Sequence, residues 1–167
     1  EGQGWEIAAY LLGHERGSMS LVVLIEEMFD SLRTIGARER SGDVAVADTR
    51  AFGRGLAAAE IDYMALRQTA ERIMRAVTAD RPVGHAASVL KLGRNRLTQD
   101  VARLMLEAGG YAALPSDPDG IRGAGPPPDA PHLFRMAPEY FDSRKSSIAG
   151  GTEEIQKDLV ARRMLGL

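Results

Sequence analysis

Apolar side chains recur every three or four positions over most of this chain, with polar residues filling the intervals. That period belongs to helices with one buried face. From Trp5 to about Arg40, Leu21, Leu24, Ile25, Met28, Phe29, Leu32 and Ile35 fall on one such face. Gly13 and Gly17 bracket His14-Glu15-Arg16 and either loosen the helix or admit a close neighbour. Ser41-Gly42-Asp43 breaks the run. A second helix is expected from near Asp48, as its cap, to about Thr78. Its seam of Leu56, Ala59, Tyr63, Leu66, Ala70, Ile73 and Val77 suits packing within a bundle or between subunits. Arg81-Pro82 ends that segment, because proline disfavours helix in the residue before it. A third helix is expected from about Gly84 to Ala108, burying Leu90, Leu97, Val101, Leu104 and Ala108 and closed by Gly109-Gly110. Leu114 to Pro131, dense in proline and glycine, reads as a long surface loop. A short helix over about Pro138 to Ser143 and a last long one after Gly151 complete the set. Nothing competes as a strand. The pattern predicts an all-α fold, an up-and-down bundle of about four long antiparallel helices.

Composition narrows this without changing it. A chain of 167 residues fits one domain with an adequate core. The net charge of −2 and the lack of a basic stripe argue against nucleic acid or an anionic membrane as partner. There are no cysteines, which removes disulfides and thiolate chemistry and fits a cytoplasmic setting. No apolar run is long enough to span a bilayer, and no signal peptide opens the chain. Glu1-Gly-Gln-Gly is linker-like and lacks an initiator methionine, so the chain is expected to be excised from a longer one. His14, His85 and His132 have no zinc-like spacing, and Asp117-Pro-Asp-Gly120 starts like a calcium loop without its later ligands. No Gly-Lys-Ser/Thr follows the glycine pairs, so they form no phosphate-binding loop.

Candidate chemistry concentrates in the last stretch, Ser146-Ser-Ile-Ala-Gly-Gly-Thr-Glu-Glu-Ile-Gln156. Gly150 and Gly151 permit a tight turn or a close approach to another molecule. Thr152 is a good N-cap, and Glu153 and Glu154 complement the positive end of the helix dipole. Arg162 and Arg163 lie near the far end, where cations are favoured. Such a start also offers free backbone N–H groups to an electron-rich ligand. An ordinary capped helix after a turn satisfies the same spacing.

Ile148 to Gln156, followed by Ala161-Arg-Arg-Met-Leu-Gly-Leu167, closely resembles the C-terminal signature of acyl-CoA dehydrogenases. Glu1-Gly-Gln-Gly-Trp-Glu-Ile-Ala8 and His14-Glu15-Arg16 resemble that family's entry into its C-terminal helical domain. The resemblance implies FAD as cofactor, an acyl-CoA substrate, and electron-transfer flavoprotein or a similar acceptor. It also implies a homo- or heteromeric dimer or tetramer, and helical and β domains before this one, without which the isolated domain should be inactive. The family's reaction needs a carboxylate base of raised pKa and donors on the thioester oxygen. Many members place that base where this chain has Gly150; a subgroup places it in a Glu-Arg pair on the first helix, which makes Glu15 the candidate here. Otherwise Glu15 is a solvated glutamate beside Arg16. Gly150 would then serve through its backbone N–H to the thioester carbonyl. Thr152, with Gly151 beside it, matches the family's flavin-contacting threonine; Glu154 is either a flavin neighbour or a dipole-stabilising surface residue. Arg50-Ala51-Phe52-Gly53 resembles the motif Arg-x-x-Phe-Gly that engages a neighbouring subunit's FAD, with the arginine one residue closer. Gly109 and Gly110 match Gln-x-x-Gly-Gly with Leu106 in place of the glutamine, and also suit a plain helix cap. A non-catalytic assembly subunit, and an oxidase or monooxygenase on the same fold, are the alternatives.

Overall fold

In a computed structural model, the structure describes residues 2–8, 20–83, 85–114 and 130–167. Helix α1 spans Ser20–Arg38 and buries Val22, Ile25, Phe29, Leu32 and Ile35, in steps of three and four. The buried face therefore passes through Val22 rather than Leu24, which is 51% exposed. Gly42, at φ 62°, then turns the chain into a two-residue antiparallel ladder of β1 (Arg40–Ser41) and β2 (Val44–Ala45), a small strand pair that the helical periodicity does not signal.

Helix α2 spans Arg50–Thr78. Its cap is Thr49 rather than Asp48: the Thr49 hydroxyl accepts from the Phe52 N–H, while Asp48 belongs to a preceding 3₁₀ turn. Ala59, Leu66, Ala70 and Ile73 of the expected seam are buried, and Leu56 and Tyr63 pack beside them. Val77 leaves the seam for solvent as the helix nears its end. The seam meets α3 (Ala86–Gly109), which runs antiparallel to it. Gly55 lies against Leu104 near one end and Gly93 against Leu66 farther along, and an added Cβ at Gly55 would stand 2.6 Å from Leu104 Cδ2. Gly36 of α1 is similarly bound to Phe52, whose ring lies 2.5 Å from where a Cβ would be.

Helix α3 packs against each of the other four helices, so it is buried on more than one side, from Leu90 through Leu97, Val101 and Met105 to Ala108. Gly110, at φ 56°, ends it. Pro131 opens a 3₁₀ turn that buries Leu133, so the proline-rich connection ends earlier than expected; residues 115–129 lie outside the described part. Helix α4 (Met136–Ser143) and a 3₁₀ turn (Arg144–Ser147) lead to α5 (Glu153–Val160), which continues through a π turn to Leu165. The all-α bundle stands, with α1, α2 and α3 as its long members and α5 as a short one. Among the described residues no helix is long and apolar enough to cross a membrane.

A polar clasp closes the α1–α2 seam. The Tyr63 hydroxyl donates to Glu26 Oε1 at 2.5 Å, and the Tyr63 ring tilts against Phe29 at 5.5 Å. Burial, and then the bond to Glu26, pushes the Tyr63 phenol from 10.0 up to about 12. A raised phenol pKa means the folded state keeps a proton that the unfolded chain releases. Its stabilisation is therefore intact below pH 10 and is lost as the pH rises toward 12. Urea midpoints should fall more steeply over that range for wild type than for Tyr63→Phe. In the same assay, Leu32→Ala, at a fully buried position, should lose about 2–5 kcal/mol.

Candidate functional site

Three polar residues on α3, Lys91, Asn95 and Gln99, are spaced by four and so share one face of the helix. Lys91 is 2% exposed and Asn95 fully buried, which is costly unless their polar ends find partners. The segment 143–151 supplies them, running antiparallel to α3. Gln99 Nε2 donates to Ser147 Oγ at 2.7 Å, and Arg144 Nη1 returns a bond to Gln99 Oε1 at 3.1 Å. One turn up, Asn95 Nδ2 donates to Ser146 O at 2.7 Å. At the top, Lys91 Nζ donates to Gly151 O at 2.6 Å and lies 3.5 Å from Ser146 O. Side chains of one helix thus clamp the backbone of the signature segment from behind.

The clamped segment ends in consecutive left-handed residues, Gly150 at φ 67° and Gly151 at φ 95°. Residues with a Cβ resist that backbone, which gives the glycine pair its local reason. Thr152 follows as N-cap of α5, its hydroxyl accepting from the Ile155 N–H at 3.4 Å. The Glu154 carboxyl is held below the usual carboxylate range by its own backbone N–H and then by the Thr152 hydroxyl. Glu154 lies exposed in the first turn of α5. Among the described residues, a Cβ added at Gly150 would meet only Lys91 Cε, at 3.6 Å, and Gly150, Gly151 and Thr152 are all half-buried.

The structure divides the other candidates. Glu15 lies outside the described residues. Gly109 and Gly110 sit at the far end of α3, 18 residues beyond Lys91 (109 − 91), about 27 Å along the helix. A Cβ on Gly109 would stand 2.7 Å from Ala113 Cβ and 3.0 Å from Leu133 Cδ2, so its absence admits the turn that follows. Arg50 and Phe52 belong to that same end, because α2 begins where α3 finishes. Arg50 is exposed, whereas Phe52 is 8% exposed and packs on Gly36. One chain therefore carries two separate clusters: the Gly150-Gly151-Thr152 turn, and Arg50 with Gly109 and Gly110.

Sequence reasoning missed Lys91, Asn95, Gln99 and Gln156. The available signal was the row of polar residues at intervals of four, Lys91, Asn95 and Gln99, along α3. Gln156 is fully buried on α5, and neither end of its amide, nor Asn95 Oδ1, has a hydrogen-bond partner among the described residues. A surface hollow of about 480 Å³ lies elsewhere, among Arg72, Arg75 and Arg81 at the α2–α3 turn. Its three guanidinium groups are exposed, and no buried donor there orients a ligand, so the clamped turn is the better candidate. No group of three or more metal-ligating side chains occurs among the described residues.

A sequence model of the acyl-CoA dehydrogenase C-terminal domain matches residues 2–165. Among curated proteins no sequence matches. Solved structures share the fold at low identity. Butyryl-CoA dehydrogenase from Megasphaera elsdenii superposes with a TM-score of 0.75 at 15% identity, over 99% of this chain and 39% of that one. The prolyl acyl carrier protein oxidase AnaB gives 0.76 at 17% identity, over 100% and 40%. PigA, solved as an FAD complex, gives 0.72 at 20% identity, over 100% and 40%. The chain thus spans well under half the length of the proteins it matches.

The turn's geometry has a measurable cost of disturbance. Gly151→Ala places a Cβ in a left-handed backbone and should destabilise the fold by at least about 1 kcal/mol. Thr152→Ala should cost about 1 kcal/mol through loss of the cap. Thermal melts with matched heat capacities would read both.

Proposed function

The chain belongs to the acyl-CoA dehydrogenase family, as its C-terminal domain, and from that premise we propose that it is the helical-bundle part of a flavin-dependent acyl-CoA dehydrogenase. The reaction removes the α-proton of an acyl thioester to a carboxylate base and its β-hydrogen as hydride, leaving an α,β double bond. FAD, when bound, supplies the hydride acceptor. The observation that carries this reading is the Gly150-Gly151-Thr152 turn, with two consecutive left-handed glycines, held from behind by Lys91 and Asn95.

The chain's own residues then divide the work. Thr152 and Gly151 hold the cofactor on the side of the turn away from α3, and the Gly150 N–H donates to the thioester oxygen as enolate character develops there. Fixed donors at that oxygen need no reorganisation during the reaction, which is where such donors act most strongly. With no side chain at Gly150, the base comes from elsewhere, and Glu15 takes that role. Ile148 and Ile155, on either side of the turn, are 70% and 54% exposed. Apolar residues flanking a polar turn suit cover by the remaining domains, which exclude water from the reacting carbon. Arg50, Phe52, Gly109 and Gly110 form a second half-site for the FAD of a neighbouring subunit. Arg50 is placed for this at the exposed start of α2, and Gly110 has open space where a Cβ would be. This arrangement calls for a dimer or tetramer in the cytoplasm, with electron-transfer flavoprotein or a similar acceptor for the electrons.

The burial of Phe52 against Gly36 favours a second reading. Spent on the core, this ring does not face a cofactor, as in a subunit that supports assembly without catalysis. The likeness to an oxidase leaves oxygen as the alternative acceptor. One experiment separates these readings. Full-length protein expressed with FAD, alone and with any neighbouring paralogue, is mixed anaerobically with a panel of acyl-CoAs while flavin absorbance is followed. Bleaching that Glu15→Gln lowers at least about a hundredfold, with flavin still bound, is the expected result. Normal bleaching in Glu15→Gln would move the base to another carboxylate. Flavin binding only with a partner subunit would favour the assembly role, and rapid reoxidation by oxygen would favour the oxidase. The 167-residue chain alone should turn over no substrate.

A further inference from the structure

We propose that Lys91 is a positioning residue that sets the direction and polarity of the peptide donors presented by the signature turn. The inference rests on the reading above for the ligand in front of the turn, but not for the geometry behind it.

A clasp alone does not require a cation. Asn95, one helical turn along, holds Ser146 O at 2.7 Å with a neutral amide. At Gly151 the chain instead uses an ammonium on a side chain that is 2% exposed, the costliest kind of donor to bury. The bond it makes, 2.6 Å to Gly151 O, is short and charge-assisted. The Gly151–Thr152 peptide is trans, as no cis bond occurs among the described residues, so its C=O and N–H point in opposite directions. With Gly151 O drawn toward α3, the Thr152 N–H is directed away from α3. The positive charge on the carbonyl oxygen also polarises that peptide and strengthens the N–H as a donor. The ligand class this favours is an electron-rich oxygen or nitrogen, such as a flavin heteroatom or a thioester oxygen gaining charge. The flexible glycine pair would otherwise let the peptide rotate, so the same lysine supplies the rigidity that Gly150 and Gly151 lack.

The test uses full-length protein as wild type, Lys91→Met, which keeps chain length without charge, and Lys91→Arg, which keeps the charge. Hydrogen exchange is first measured on the apo proteins. The amides of Ile148, Ala149, Ile155 and Gln156 donate within this segment and report on it. In Lys91→Met they should exchange at least about tenfold faster relative to amides of α1 and α2, the factor implied by losing a bond to a charged donor. Lys91→Arg should lie nearer wild type. Unchanged exchange, or equal acceleration in every helix, overturns the proposal. With FAD bound, bleaching by saturating acyl-CoA should slow about 10- to 100-fold in Lys91→Met per bound flavin, with KM within about threefold, as for a donor acting in the transition state. Wild-type bleaching rates would overturn the positioning role. If exchange responds as expected but wild-type flavin is bleached by no acyl-CoA, the positioning of the turn stands and the assigned reaction falls. Should Lys91→Met fail to fold, Lys91→Gln, a neutral donor, replaces it under the same criteria.

Discussion

An ammonium drawn into a protein interior must be met by oxygen atoms, and the backbone that supplies them is thereby fixed. In this bundle the requirement falls on Lys91, and the carbonyl of Gly151 answers it at 2.6 Å. Asn95 and Gln99 repeat the demand one and two turns along the same face of α3, and Ser146 and Ser147 answer. The segment 143–151 has little apolar surface of its own: Ile148 points outward, and Ser143 is its one buried residue. Hydrophobic burial alone would leave its register loose. Hydrogen bonds from a rigid helix specify that register instead, and with it the turn that starts α5.

The same helix explains why the candidate residues form two groups. α3 packs against helices on more than one side, and the candidate residues gather at its two ends. Near its start it supports the glycine turn; at its finish Gly109 and Gly110 close it beside the start of α2. About 27 Å of helix separates the two, so within one chain they do not converge. The proposed sharing of a cofactor between neighbouring subunits would reconcile such a division with a single kind of site. The fold by itself would suit several flavin chemistries, and only the groups at these two ends distinguish among them.

Helix α5 inverts the ordinary amphipathic rule. Its fully buried residue is Gln156, while Ile155 is more than half exposed and Leu165 and Leu167 beyond it are more exposed still. Gln156 makes this a helix whose inward-facing amide has no hydrogen-bond partner among the described residues. An apolar side turned outward fits one that further chain covers. The turn before α5 is anchored from the bundle by Lys91 and Asn95.

Most of the helices were legible in the sequence because periodicity is local: Ile25, Phe29, Leu32 and Ile35 lie on one face wherever α1 packs. Breaks were legible for the same reason, as Gly42, Pro82 and Gly110 act through their own backbone. The turn at Gly150 and Gly151 and the cap at Thr152 were equally local, and both hold. Local rules gave less at close decisions, where Thr49 rather than Asp48 caps α2 and Val22 rather than Leu24 faces inward. What only the tertiary structure decided was the meaning of polar residues. Lys91, Asn95 and Gln99 look like an ordinary solvated row until a segment some fifty residues later closes over them. Phe52 packs its ring on Gly36 of another helix, a seat that its own helix does not specify. A side chain's period is a property of its own helix, but its solvent is a property of whatever packs against it.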